Sequence, residues 1–230
     1  MARTAAETRE LLADTALRLF REHGFDATTM RRIAAEAGVS IGNAYHHFAG
    51  KDELVQELYV RIQDEHRAVV EPRLVEGAPL ADNLRNVLHA GLDVMSPYHG
   101  FGQTFLRIAV QPTSSASPFS ADSAPARERA LGLMRLTVDR SGTKVSPGLG
   151  ARLPQLLWLT HLAVTLHWVT DTSLDQRRTR TLVDGLCPVV GRAIALSRLP
   201  VARGLTDQVL ILLDSLSTDL ADPATKESVS

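Results

Sequence analysis

The chain has 230 residues, 44% of them hydrophobic, and its 25 basic and 26 acidic side chains leave a formal net charge of −1. That is enough apolar material for a sizeable core, and the balance of charge excludes global attraction to phosphate or anionic lipid, so any nucleic-acid site has to be local. A single cysteine, Cys187, excludes an intramolecular disulfide framework and a paired-cysteine metal or redox motif.

The first residues carry no apolar signal-type run, which points to a cytoplasmic protein. Leu12, Ala16, Leu19 and Phe20 recur at helical spacing and stop at Gly24, so a first helix is expected to end there in a left-handed cap. Thr28 or Thr29 caps a short helix through Ala37, Gly38 ends it, and Ser40 caps another running to about His47. Asp52 and Glu53 follow Gly50 and Lys51 and suit a helix N-terminus, while Leu54, Leu58 and Ile62 give that helix an apolar stripe reaching about Val70. Pro72, Gly77 and Pro79 break the chain before Leu84, Leu88, Leu92 and Met95, and Pro97 closes that helix. Phe101, Phe105 and Ile108 mark a short helix ending near Pro112, after which the Ser-, Ala- and Pro-rich stretch from Gln111 to Pro125 reads as a mobile loop.

Helical pattern resumes from Ala126 to Val138, pauses from Ser141 to Pro147, and returns in the uncharged stretch Leu153 to Thr170. That stretch reaches the lower length limit of a membrane span, about 18 residues. Its Pro154, Gln155, Thr160, His161, Thr165, His167 and Thr170 would place too many polar groups in hydrocarbon, so a helix buried in protein is expected and no membrane partner. Two more helices follow, one over Asp175 to Ser197 with a kink at Pro188, the other carrying Leu205, Val209, Leu212, Leu213 and Leu216 before a polar tail from Ala221. Strand-type alternation is absent from the sequence, and the fold class is all-α.

The segment Thr29 to Phe48 has the make-up of a helix-turn-helix. Ile33, Ala34, Ala37, Val39 and Ala44 are small or apolar where two helices must touch, and Gly38 occupies the turn. The second helix then presents Ser40, Ile41, Gly42, Asn43, Tyr45, His46 and His47, flanked by Arg31, Arg32 and Lys51, with Glu36 the one acid in that span.

Read in order, Ile33-Ala34, Ala37-Gly38-Val39-Ser40, Gly42, Tyr45, His47-Phe48 and Lys51 resemble the hallmark of the TetR family of bacterial transcriptional regulators, over about Thr8 to Ile62. Ala44, where the family usually has leucine, and Asn43, where threonine, serine or alanine is common, depart from that pattern and bear on the operator sequence. The resemblance implies a helix-turn-helix DNA-binding domain over residues 1–62, a ligand-binding and dimerisation domain over 63–221 and a polar tail over 222–230. It also implies a double-stranded DNA operator, a homodimer paired through a late four-helix bundle, and release from a palindromic operator by a small-molecule inducer. A regulator without such an inducer, controlled by a protein partner, is the alternative. Tyr45, His47 and Lys51 would grip phosphates, Ser40 and Thr29 would anchor helix ends to the backbone, and Arg31, Gly42, Asn43 and His46 would lie closest to base edges.

Gly38-Val39-Ser40-Ile41-Gly42 also satisfies the G-x-S-x-G pattern of a hydrolase elbow, but that elbow needs a strand before the serine, whereas Arg31 to Ala37 reads as a helix. His161 and His167 are six apart and face different ways, and no metal-type spacing accompanies the remaining histidines. No enzyme activity, cofactor or metal is expected.

Trp158, His161, Thr165 and Trp168 share one helix face, and Phe101 and Phe105 share another. Together with Met95 these residues combine aromatic area with a few polar atoms, as in a pocket for a mostly apolar ligand. The same residues also fit ordinary core or dimer-interface packing. For the dimer, the expected partners are Leu153 to Thr170 and Asp175 to Ser197, or the terminal helix with one of them.

Overall fold

A computed structural model describes residues 3–110, 114–199, 208 and 211. Nine α-helices and no strand occur among them: α1 Ala5–His23, α2 Met30–Glu36, α3 Ile41–His47, α4 Lys51–Val70, α5 Leu80–Met95, α6 His99–Ala109, α7 Ala124–Asp139, α8 Pro147–Thr170 and α9 Arg177–Leu196. The expected terminal helix over Leu205 to Leu216 lies outside the described residues apart from two positions.

Two apolar cores organise the chain. The first joins Leu12, Ala16, Leu19 and Phe20 of α1 to Ile33 and Ala34 of α2, Ala44 of α3, and Leu54, Val55 and Leu58 of α4. The second gathers Leu84, Leu88 and Leu92 of α5, Leu133 and Met134 of α7, Leu157 and Trp158 of α8, and Val183 and Cys187 of α9. Helix α4 serves both, with Ile62 packed against each, so the small N-terminal unit is joined to the larger one by a continuous helix. Helix α5 lies against α4, α7, α8 and α9 and is buried around most of its circumference.

The helix boundaries follow local chemistry. Thr4 and Glu7 form a reciprocal capping box at the start of α1. At its end Gly24 has a positive φ of 82° with an extended ψ of 161°, so the expected left-handed cap is replaced by an extended step that leads into the buried Phe25. Thr29 caps α2, whereas Thr28 is fully buried, its hydroxyl donating to the Gly24 carbonyl at 2.8 Å. After α2 the Val39 amide donates to the Ala34 carbonyl and the Gly38 amide to that of Ala35. This Schellman arrangement requires the positive φ of 66° that Gly38 supplies.

Three features differ from the sequence expectation. Helix α8 begins at Pro147, six residues before Leu153, because proline is well placed in a first turn. Helix α9 begins at Arg177, after a 3₁₀ turn over Leu174–Gln176 in which Asp175 and Gln176 adopt positive φ. The buried Asp171 holds that junction, accepting from the amide and hydroxyl of both Ser173 and Thr179. Burial alone would raise its carboxyl pKa, but these four hydrogen bonds outweigh it and hold the pKa far below the usual carboxylate range. The third difference concerns the expected mobile loop. Residues 114–123 form turns tied to α4: Gln56 Nε2 donates to the Ser115 carbonyl at 2.6 Å, Ser123 Oγ donates to Gln56 Oε1 at 3.1 Å, and Ala116 is buried in the first core.

Candidate nucleic-acid interface and the buried face of α8

Helix α3 has seven residues, of which Ala44 alone is buried, so the rest of its surface faces outward. Ser40 caps it, its hydroxyl accepting from the Asn43 amide at 3.1 Å, and Thr29 does the same for α2 through the Arg32 amide at 3.2 Å. Each hydroxyl oxygen thereby caps a helix N-terminus as an acceptor and keeps its O–H as a donor. Gly42, Asn43, Tyr45 and His46 are exposed, with Tyr45 at 53%, and the exposed Arg31 lies on the neighbouring α2. Gly42 has no heavy atom within 4 Å of where a Cβ would stand, so the backbone there is open to close approach by a groove wall. A wide-mouthed concavity of about 490 Å³ adjoins this surface, lined by Arg3, Thr8, Gly38, Val39, Ser40 and Asn43.

Two of the expected phosphate contacts are placed differently from the rest. Lys51 Nζ donates to the Phe25 carbonyl at 2.7 Å and sits 4.2 Å from the centroid of the Phe25 ring. Its ammonium therefore fastens the start of α4 to the turn after α1. His47 is half-buried, and its carbonyl accepts from Arg9 Nη1 at 2.7 Å.

Arg9 is the residue that sequence reasoning missed. Its guanidinium lies over the Phe48 ring at 4.2 Å and pairs with Glu57 at 3.1 Å and Glu53 at 3.5 Å, while also capping the C-terminal end of α3. One side chain thus holds α3 against α1 and α4. Nothing in the local pattern around Arg9 signals this, because every partner is at least 38 residues away.

Of the residues expected to hold a ligand, Met95, Trp158, His161 and Trp168 are buried in or beside the second core. Phe101 and Phe105 lie on α6, which packs against α8, but their side chains lie outside the described residues. The Phe119 ring, from the turns at 114–123, meets the Trp158 ring edge to face with centroids 5.4 Å apart, and His99 meets Trp168 in the same manner at 4.8 Å. His161 stacks on His66 of α4 with centroids 5.6 Å apart. Gly91 of α5 lies beneath both rings, where a Cβ would come within 3.1 Å of His66 and 3.2 Å of His161. Burial lowers the pKa of both imidazoles, and the neighbouring His66 adds to the effect on His161, which falls to about 3. Both rings are neutral near pH 7. The Nε2 of His66 faces the Val87 carbonyl at 2.8 Å and so carries its proton. Among the described residues, His161 Nδ1 and Trp168 Nε1 have no hydrogen-bond partner.

No group of three or more metal-ligating side chains occurs among the described residues, and no described helix is long and apolar enough to cross a membrane.

Residues 12–58 match the family model of bacterial regulatory proteins, tetR family, and residues 83–212 match that of the tetracyclin repressor-like C-terminal domain. The chain is 29% identical over 115 residues to the HTH-type transcriptional regulator UidR of Escherichia coli strain K12, an alignment covering 50% of this chain and 55% of that protein. It is 32% identical over 108 residues to the HTH-type transcriptional repressor KstR2 of Mycobacterium tuberculosis strain H37Rv, covering 45% and 54% respectively. The chain thus spans about half the length of the curated relatives it matches. In fold it is similar to the crystal structure of Thermus thermophilus FadR, a TetR-family repressor in complex with lauroyl-CoA, with a TM-score of 0.54 at 18% identity over 78% of this chain and 92% of that one.

Proposed function

The chain belongs to the tetR family of bacterial regulatory proteins, and from that premise we propose that it is a DNA-binding transcriptional repressor, released from a palindromic operator by a small, mostly apolar molecule. The observation that carries the DNA-binding part is the outward surface of α3, where Gly42, Asn43, Tyr45 and His46 are exposed on a helix fixed by the Ser40 cap at one end and Arg9 at the other. A rigid seat matters because a major-groove contact has to be held in register by backbone contacts before base edges can be read. Asn43 has the paired donor and acceptor that suit adenine, and Arg31 the fork that suits guanine. Tyr45 and His47, with Lys51 from its seat on Phe25, take the phosphate role.

One seven-residue helix reads few bases, so two copies are required, about 34 Å apart on one face of the duplex. An apolar face on α9 suits the pairing. Leu182, Val189 and Leu196 recur every seven residues and are exposed, and Gly185 and Ala193 lie between them. Such a face, uncovered in one chain, is what a second copy buries.

The ligand part is supported by the aromatic face of α8 and by α4, which joins that region to the helix-turn-helix. A ligand favouring one setting of α4 over another would shift the spacing of the two α3 helices by as much as its preference for that setting. The FadR relative holds lauroyl-CoA, which agrees with an apolar ligand body.

Selection of bound sequences from a random DNA library tests the reading. An inverted repeat with half-sites about one helical turn apart, or a multiple of it, is the expected outcome. Recovery of no repeat, or of no enriched sequence, overturns it.

A further inference from the structure

Among the described residues, two buried side-chain polar atoms lack any hydrogen-bond partner: His161 Nδ1 and Trp168 Nε1. His161 is 6% exposed and Trp168 is 3% exposed. Both project from one face of α8, two turns apart, or about 10 Å along the axis. Folded proteins satisfy the great majority of their buried polar atoms, so two orphans in register on a single face need an explanation. Other polar side chains of this helix need none: Thr160 donates to the Leu156 carbonyl and Thr165 to that of His161, both within their own turn of helix.

We infer that these two atoms are the anchor points for the ligand, and that the ligand is an uncharged, largely apolar molecule bearing an acceptor oxygen for Trp168 and a second hydrogen-bonding oxygen about 10 Å away for His161. This assignment rests on the ligand-relieved reading above and states the chemistry of that same site.

Three arguments converge on the ligand class. An indole N–H donates and cannot accept, so its partner is an oxygen or nitrogen with a free lone pair. The neutral imidazole of His161 bonds through Nδ1 in either tautomer, as donor or acceptor, so a carbonyl or a hydroxyl serves there. The helix carries no formal charge from Leu153 to Thr170, so it offers no cation of its own to a carboxylate buried against either atom, which disfavours an acid relative to a ketone. The rings themselves are held in place. His161 is clamped between the His66 stack and Gly91, and the His99 ring supports Trp168, so both anchors are preset. His66 belongs to α4, so the His161 anchor is one ring away from the helix that carries the signal.

The test uses the intact protein with three probes of equal chain length, 2,9-decanedione, 2-decanone and decanoate, followed by tryptophan fluorescence and thermal stabilisation. The expected order is dione tightest, ketone about tenfold weaker, and decanoate weakest, since one added hydrogen bond to a buried group is worth about a factor of ten. Trp168→Phe should weaken the ketone about tenfold, and His161→Phe should erase the advantage of the dione over the ketone. His161→Gln keeps a hydrogen-bonding atom and should restore part of that advantage, while its melting temperature shows whether the fold survived. Decanoate binding as tightly as 2-decanone overturns the assignment. So does an unchanged ketone affinity in folded Trp168→Phe, the result expected if the orphans hold only water, and so does failure of all three probes to bind. Release of the selected operator is measured alongside. Binding in the expected order without release refutes the ligand-relieved repressor yet upholds the anchors, whereas release that follows another order refutes the anchors alone.

Discussion

The hydroxyl of Tyr59 donates to the carbonyl of Ala116 at 3.2 Å, and Ala116 itself is buried in the first core. A segment from the larger unit is thereby built into the core of the smaller one, and three residues later Phe119 touches Trp158 on the face of α8 that bears the orphaned atoms. Burial holds the Tyr59 phenol above its ordinary pKa, so it remains a donor at any physiological pH. Tyr59→Phe leaves the Ala116 carbonyl without this donor and should cost about 1 kcal/mol, and Ala116→Glu should cost about 3 kcal/mol or more by forcing a carboxylate into an apolar core. Urea denaturation measures both. Unchanged midpoints would mean that the segment is not part of the core.

A second prediction concerns acid. His66 and His161 are buried with lowered pKa values, His161 at about 3 against an ordinary 6.5. The unfolded chain therefore takes up protons first as pH falls. The sign follows: the contribution to stability is complete above pH 6.5 and declines below it, by about 2 kcal/mol for His161 alone at pH 5. Replacing His161 with Gln removes this term. The variant's melting temperature should fall less than that of the parent between pH 7.5 and pH 5, and parallel curves would refute the burial of a neutral ring.

What the sequence made legible divides along the range of the interactions involved. Gly38, Ser40 and Thr29 were readable because a turn glycine and two N-caps act within four residues of themselves, and the periodic leucines of α5 were readable because a helix buries a repeating face. Arg9 was not readable, since its partners at His47, Glu53 and Glu57 come together only when three helices pack. The turns at 114–123 read as a mobile loop because their Ser, Ala and Pro content lacks an apolar pattern. What holds them is a set of hydrogen bonds to Gln56 and Tyr59 on a helix more than 50 residues earlier. Trp158, His161 and Trp168 were legible as a face of one helix, but the stack of His161 on His66 required side chains of α4 and α8 to meet over Gly91 of α5.

The surface of α3 yields a third prediction, in which stability and recognition separate. Arg9→Ala removes the hydrogen bond to His47 and the stack on Phe48. It should lower operator affinity and melting temperature together. Asn43→Ala touches no core residue and should leave stability within about 0.5 kcal/mol while changing base preference at a defined pair of operator positions. Lys51→Ala loses its bond to the Phe25 carbonyl, about 1 kcal/mol of stability, and should also reduce the salt dependence of DNA binding by about one unit of slope if the ammonium reaches phosphate from its seat. A lowered melting point with an unchanged slope would make Lys51 a fastening for α4 and nothing more.

The last prediction is for the α9 face. Val189 is 59% exposed, and it lies midway between Leu182 and Leu196 on a surface whose neighbouring positions, Gly185 and Ala193, are small. A glutamate there meets only water in a single chain, so folding should be unaffected. In a dimer related by two-fold symmetry the same residue recurs across the interface, and two carboxylates would face one another in an apolar seam. Val189→Glu should therefore yield a particle of 25.0 kDa by light scattering, where the parent gives about twice that. It should bind an inverted-repeat operator about 100-fold more weakly, the factor that tethering two half-site readers contributes. Val75→Glu is the matched control, since Val75 is 57% exposed on the turn before α5 rather than on α9, and should change neither quantity. A dimeric, fully active Val189→Glu protein would move the interface elsewhere on the surface.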